Sequence, residues 1–149
     1  MMTNSALKEG FRFSGPSKTL NDAHFLLFSG ITGDVGRIHY DAEYAKQTKF
    51  GKPLAHGLLL ASMTALGASD WKDKPQGFIF IEQGCKFLNP AVVGDTITPE
   101  FIVEKVWHEG HRTFCRIKTS VVNQRNEPLL EGFQLYRIIP PRSASAHSG

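Results

Sequence analysis

Cysteine is nearly missing from this 149-residue chain, which has only Cys85 and Cys115. Two thiols make no disulfide framework, and at this spacing they make no metal site. Neither adjoins a histidine in sequence, so both read as small buried or half-buried side chains rather than nucleophiles. Long apolar runs are missing too. No stretch approaches the 18 or more residues of a membrane-spanning helix, so no membrane partner is expected. The net charge is +3, yet no run of three Lys or Arg occurs. Nucleic-acid binders gather such charge into a stripe, so none is expected as a partner; scattered positive charge suits a phosphate-bearing small molecule. There is no phosphate-binding loop, no dinucleotide glycine fingerprint and no serine-hydrolase elbow. The first ten residues lack a charged-then-apolar secretion signal, and a cytoplasmic, thiol-reduced location is the expectation.

What is present is a globular composition, 41% apolar and 21% charged, with 11 Phe. The length suits one domain with a core of its own. Residues 1–10 and the small, polar, Pro-initiated stretch 140–149 read as flexible ends around a single domain at 11–139. Within it, Phe11 to about Thr19 can be a strand, and Thr19 with Asp22 resembles a capping box opening a helix that ends near Gly30. A Gly-rich loop follows, and Asp41 can cap a short helix over 42–46. Residues 56–69 carry no Lys, Arg, Asp or Glu, and their apolar positions cover the whole wheel, which predicts a helix buried all round. Residues 78–88, 96–107, 112–122 and 129–139 read as strands joined by connections short enough to demand antiparallel neighbours. In the third of these, Cys115, Ile117, Thr119 and Val121 alternate with Arg116, Lys118 and Ser120, as in a sheet with one wet face. A long antiparallel sheet wrapped around a buried central α-helix is the simplest assembly, an α+β fold.

Two places can carry chemistry. Asp34 and His39 share a Gly-containing loop, and a carboxylate beside an imidazole can hold a water and move its protons; a solvated turn explains the same residues. At His56-Gly57, the first N–H groups of the apolar helix have no internal partner, and glycine lets a carbonyl oxygen approach them. Such amides stabilise developing negative charge. Alternatively, Gly57 only eases packing and His56 is a satisfied, partly buried histidine. Ser62, inside the apolar helix, is expected to bond back to a carbonyl. His108 and His111 flank Glu109-Gly110, where a metal site and a plain strand turn are both open readings.

Taken together, Phe28-Ser29-Gly30-Ile31-Thr32-Gly33-Asp34, Ile38-His39, Tyr44-Ala45, the segment Phe50 to Gly57, and the segment Phe87 to Asp95 resemble the MaoC-like, R-specific enoyl-CoA hydratases over residues 10–139. The resemblance implies the hot-dog fold and a homodimer, or a higher homo-oligomer, with active sites near the subunit interface. It implies reversible hydration of an enoyl-CoA to a 3-hydroxyacyl-CoA, a hydro-lyase reaction in fatty acid metabolism. Acyl-CoA is then the substrate, and neither a metal nor an organic cofactor is required. Asp34 and His39 would orient and deprotonate the water and return a proton to C2, with the Gly57 amide as oxyanion donor. A thioesterase and a non-catalytic acyl-thioester binder are the alternatives.

The sequence departs from the family's Asp-x-Asn-Pro-aliphatic-His pattern at Gly36 and Arg37. Gly36 can preserve a left-handed turn but supplies no amide side chain. Arg37 either meets a carboxylate on an unusual acyl group or faces solvent, the second being the expectation. Lys52, Lys86 and Arg112 are among the cations available to coenzyme A phosphates.

Overall fold

The computed structural model describes residues 7–75, 77–140 and 142. Six strands form an antiparallel sheet: β1 (Arg12–Ser14), β2 (Lys18–Thr19), β3 (Phe78–Phe87), β4 (Thr96–Glu109), β5 (Arg112–Val122) and β6 (Pro128–Ile138). The order is β1-β4-β5-β6-β3, with β2 also paired to β4. The helices are α1 (Asp22–Thr32), α2 (Ala42–Lys46) and α3 (Gly57–Ser62). No helix among the described residues is long and apolar enough to cross a membrane.

Alternation along β5 holds as the sequence dictates: Cys115, Ile117, Thr119 and Val121 are buried. Their inward row belongs to two adjoining cores. One joins Leu59 and Leu60 of α3 to Phe25 of α1 and to Ile97, Val121, Leu129 and Leu130 of the sheet. The other gathers Phe13, Leu66, Trp71, Phe101, Ile117 and Tyr136. Each fully buried side chain of this size stabilises the fold by about 1.5–3 kcal/mol. Both cysteines are free, Cys115 fully buried and Cys85 partly so. Burial pushes the Cys115 thiol up to about 12, which leaves it inert as a nucleophile.

Several expectations need correction. The strand expected from Phe11 to Thr19 is broken into β1 and β2. Gly15 passes so close to Pro99 that an added Cβ would lie 2.6 Å from its ring, and Pro16 has no N–H to give the ladder. Residues Lys8–Gly10 are not loose: the Gly10 N–H donates to the Val103 carbonyl at 2.7 Å, and Glu9 Oε1 accepts from the Val106 N–H at 3.0 Å. The remaining expectation of flexible ends, at residues 1–6 and 143–149, lies outside the described residues.

Helix α1 starts at Asn21, not Thr19. Asn21 Oδ1 accepts from the Ala23 N–H at 3.0 Å, and His24 Nδ1 accepts from the Asn21 N–H at 3.1 Å. The helix runs through Gly30 and stops at Gly33, whose φ of 77° is left-handed. Helix α2 is capped by Asp41 as expected, through the Tyr44 N–H at 3.0 Å.

The central helix is shorter than its apolar run. Hydroxyls compete for its carbonyls: Ser62 Oγ donates to the Leu59 oxygen at 2.6 Å, as expected for Ser62, and Thr64 Oγ1 to that of Ala61 at 2.6 Å. Gln134 of β6 takes the Thr64 carbonyl at 2.8 Å. The chain then passes into a 3₁₀ turn at Leu66–Ala68. Nor is α3 buried all round, because Leu58 is 65% exposed beside buried Leu59 and Leu60.

Candidate active site

Three local features bring the chemistry-bearing residues together. The left-handed Gly33 ends α1 and turns the chain sharply, so Asp34 leaves the helix at once. Thr32 Oγ1 steadies the turn by donating to the Phe28 carbonyl at 2.8 Å and accepting from the Asp34 N–H at 3.2 Å. Arg37–His39 then forms a 3₁₀ turn that points the His39 imidazole back toward Asp34. Finally, Leu54 is pinned by a bridge to Val92, which fixes the approach to His56 and Gly57.

Asp34 Oδ2 and His39 Nε2 lie 3.8 Å apart. That is too long for a direct hydrogen bond and close enough for one water to reach both. The other ring nitrogen of His39 sits 2.7 Å from the Leu54 carbonyl oxygen. A carbonyl can only accept, so Nδ1 carries the proton and the Nε2 lone pair faces Asp34. Asp34 Oδ1 accepts from the Gly36 N–H at 3.2 Å. His39 is largely buried while Asp34 stays about half exposed, so the pair opens to the outside at its acidic end.

Gly36 does not use the left-handed conformation expected of it. Its φ of −57° and ψ of 130° are open to any residue. A Cβ there would meet Asp34 Oδ1 and His39 Cδ2, both at 3.4 Å, so the position looks directly onto the pair. Arg37 turns away from it, as expected. Its guanidinium donates to Asp41 Oδ2 at 3.1 and 2.9 Å, lies 4.6 Å from the Tyr44 ring centroid, and is 62% exposed.

His56 differs most from its sequence reading. It is 3% exposed, not partly buried. Its ring stacks on His39 with centroids 3.6 Å apart and planes at 18°. Nε2 lies 3.2 Å from Ser29 Oγ, while buried Nδ1 has no hydrogen-bond partner among the described residues. Burial pushes its imidazole below the ordinary range and the neighbouring His39 adds to this. The backbone carbonyl and carboxylate of Asp34 oppose both. In the sequence His56 was marked only by its place beside a charge-free apolar run and within the segment Phe50 to Gly57.

Gly57 follows directly and heads α3. Its N–H has no intrahelical acceptor, and none of the backbone carbonyls among the described residues takes it. With α3 only six residues long, what this amide offers is a single donor rather than the dipole of a long helix. The Phe87 ring lies over it, 3.3 Å from where a Gly57 Cβ would stand.

Asp34, His39 and His56 each place one potential ligand atom within 4.8 Å of the others. Their geometry does not suit a cation. Ring lone pairs lie in the ring plane, so two stacked imidazoles aim side by side rather than at one point, and His39 Nδ1 is committed to Leu54. His108 Nδ1 instead pairs with Thr113 Oγ1 at 3.0 Å, far along the sheet. Arg112 is equally remote. Phe87 is in register with Leu130 and Leu130 with Val121, about 30 Å along β5 from Arg112. Lys52 and Lys86 flank Pro53–Leu54 and Phe87 respectively, and both are exposed.

The sequence matches the MaoC-like domain over residues 3–127. It is 31% identical over 120 residues to an (R)-specific enoyl-CoA hydratase of Rhodospirillum rubrum, covering 78% of this chain and 82% of the relative. It is 28% identical over 121 residues to a 3-hydroxybutyryl-CoA dehydratase of Methylorubrum extorquens, covering 81% and 74%. The solved (R)-hydratase of A. caviae superposes with a TM-score of 0.77 at 24% identity, over 91% of this chain and 99% of that one. The architecture is therefore the hot-dog fold, an antiparallel sheet around a central helix.

Proposed function

Because this chain belongs to the MaoC-like domain family, we propose that it is a hydro-lyase adding water reversibly to the 2,3-double bond of an enoyl-CoA. The observation that carries this reading is the geometry of Asp34 and His39: a carboxylate oxygen and an imidazole lone pair 3.8 Å apart, both able only to accept. A water between them donates one hydrogen to each and turns its own lone pair outward. As that oxygen bonds C3, the pair takes up the proton and the π electrons move to the thioester oxygen. The Gly57 N–H holds this enolate oxygen, a type of contact worth on the order of a hundredfold in rate. Delivery of the proton to C2 restores the carbonyl and completes the 3-hydroxyacyl thioester.

The same site is the natural meeting point of two copies. Strand β3 is a sheet edge ten residues long, with Ile79, Phe80, Ile81 and Phe87 exposed along it. A homodimer through this edge covers those side chains and brings the partner up to Gly57. Lys52 and Lys86 flank that mouth and suit the coenzyme A phosphates.

Crotonyl-CoA tests the reading. Loss of its enoyl-thioester ultraviolet absorbance, with 3-hydroxybutyryl-CoA formed and no free thiol released, is the expected result. Thiol release without hydration marks a thioesterase, and tight binding without turnover marks a binder; either overturns the proposal.

A further inference from the structure

Resting on the hydratase reading, we propose that His56 is a positioning residue for His39: its buried ring is the platform that holds the His39 imidazole in the plane, and in the tautomer, that face Asp34. The arrangement is hierarchical. Helix α1 presents Phe25, Phe28 and Ser29 on one face, three and four residues apart, and all three meet His56. The Phe28 ring lies 4.9 Å from it, the Phe25 ring 6.3 Å away edge-on, and Ser29 Oγ 3.2 Å from Nε2. His56 is thereby fixed on three sides, and its remaining face is given to His39 at 3.6 Å.

A side chain in the position of His39 has one soft torsion that matters, rotation of the ring about its terminal bond. The Leu54 carbonyl fixes one edge of the ring, at Nδ1. A single hydrogen bond still allows the plane to rock far enough to break that contact, and once it is broken either ring nitrogen can carry the proton. A second ring 18° from parallel removes the rocking, so Nε2 stays aimed at the place where water meets Asp34. Misplacing a reacting group by about 1 Å can lose a hundredfold in rate.

The stack has a charge consequence as well. When His39 takes the proton from water, its ring becomes a cation lying on the face of a neutral aromatic ring, which is favourable. That requires His56 to remain neutral. The groups facing it are few: α1 contributes no titratable side chain at the contact, β3 contributes the Phe87 ring beside Gly57, and the loop contributes His39 and Asp34. Burial and His39 favour the neutral form, against the pull of Asp34.

The test compares His56→Phe, which keeps a ring and loses the Ser29 bond, with His56→Gln, which keeps a polar contact and loses the ring. His56→Met, unbranched and of similar bulk, serves as a second ringless variant should a buried amide prevent folding. Proton-coupled nitrogen NMR of ¹⁵N-histidine-labelled protein reads the His39 tautomer without any need for activity. The Nδ1–H form is expected in the parent and in His56→Phe, and a mixture of the two tautomers in the ringless variants. On crotonyl-CoA, the ringless variants should lose on the order of tenfold to a hundredfold in kcat with KM little changed, and His56→Phe should recover most of it. A parent-like His39 spectrum in either ringless variant overturns the proposal, as does His56→Phe behaving like His56→Gln. If the parent shows the expected tautomer but no hydration, the hydratase reading fails while the positioning of His39 by His56 still stands or falls on the spectra.

Discussion

The Leu54 carbonyl oxygen lies 2.7 Å from His39 Nδ1, and this contact decides which nitrogen faces Asp34. It is well anchored, because the Leu54 N–H in turn donates to the Ile38 carbonyl at 2.9 Å. The backbone on both sides of the imidazole is thus tied to itself. If the resulting pair does the chemistry, Asp34→Asn and His39→Ala should each slow crotonyl-CoA hydration by roughly 10²–10⁴-fold. Half-exposed Asp34 belongs to neither apolar core, so Asp34→Asn should melt within a few degrees of the parent. Full activity in either variant would remove the pair from the mechanism.

Gly57 allows its N–H and its lack of a side chain to be tested separately. Position 57 is the first of a helix, where proline is tolerated, and His56 already has the extended backbone, φ −61° and ψ 138°, that precedes proline readily. Gly57→Pro removes the donor, whereas Gly57→Ala keeps it and places a similar Cβ against Phe87. The expected outcome is a modest loss in the alanine variant and a further kcat loss of about 10²-fold in the proline variant. Equal rates in the two would dismiss the amide as an oxyanion donor.

Arg37 is engaged by Asp41 and Tyr44 and points away from the pair. Arg37→Ala should therefore leave the rate ratio between simple and dicarboxylic acyl-CoA substrates unchanged within about twofold, since exposed ion pairs are weak. A selective loss of the dicarboxylic substrate would place the guanidinium in the pocket.

The lowered pKa of His56 makes stability depend on acidity. A histidine that is harder to protonate when folded binds more protons when unfolded, so stability falls as pH drops below the ordinary imidazole value of 6.5. This loss continues until pH passes the lowered folded value and His56 is charged in both states. Melting temperatures measured across that interval should decline more steeply for the parent than for His56→Phe. Parallel curves would show that another group is responsible.

At position 36 the backbone accepts any residue, and a side chain would point at Asp34 and His39. Gly36→Asn should fold normally and, by adding an amide beside the water, raise crotonyl-CoA hydration by up to about tenfold. Gly36→Ala, which adds bulk without hydrogen bonds, should give no gain. A slower Gly36→Asn would mean that the open space is used by the substrate.

The sheet was legible in the chain because two physical signals coincide there. Alternation fixes which side chains of β5 face inward, and the tight Glu109-Gly110 connection fixes its partner, β4. The loop carrying Asp34 and His39 was legible through its motif, not through periodicity. What stayed hidden was set by contacts distant in sequence. The early end of α3 depends on Gln134 reaching across from β6, and the break after Ser14 depends on Pro99 lying against Gly15. No local pattern announces that His56 lies face to face with His39, because the two histidines meet only once α1 and the sheet have closed around them.

The outer edge of β3, unpaired among the described residues, has a practical consequence for anyone handling the protein. A long apolar edge is a template for indiscriminate strand addition, so the homodimer proposed above would also guard against precipitation. Substitutions at Ile79 or Ile81 that loosen such a contact would be expected to show first as insoluble material, before any assay could register a catalytic defect.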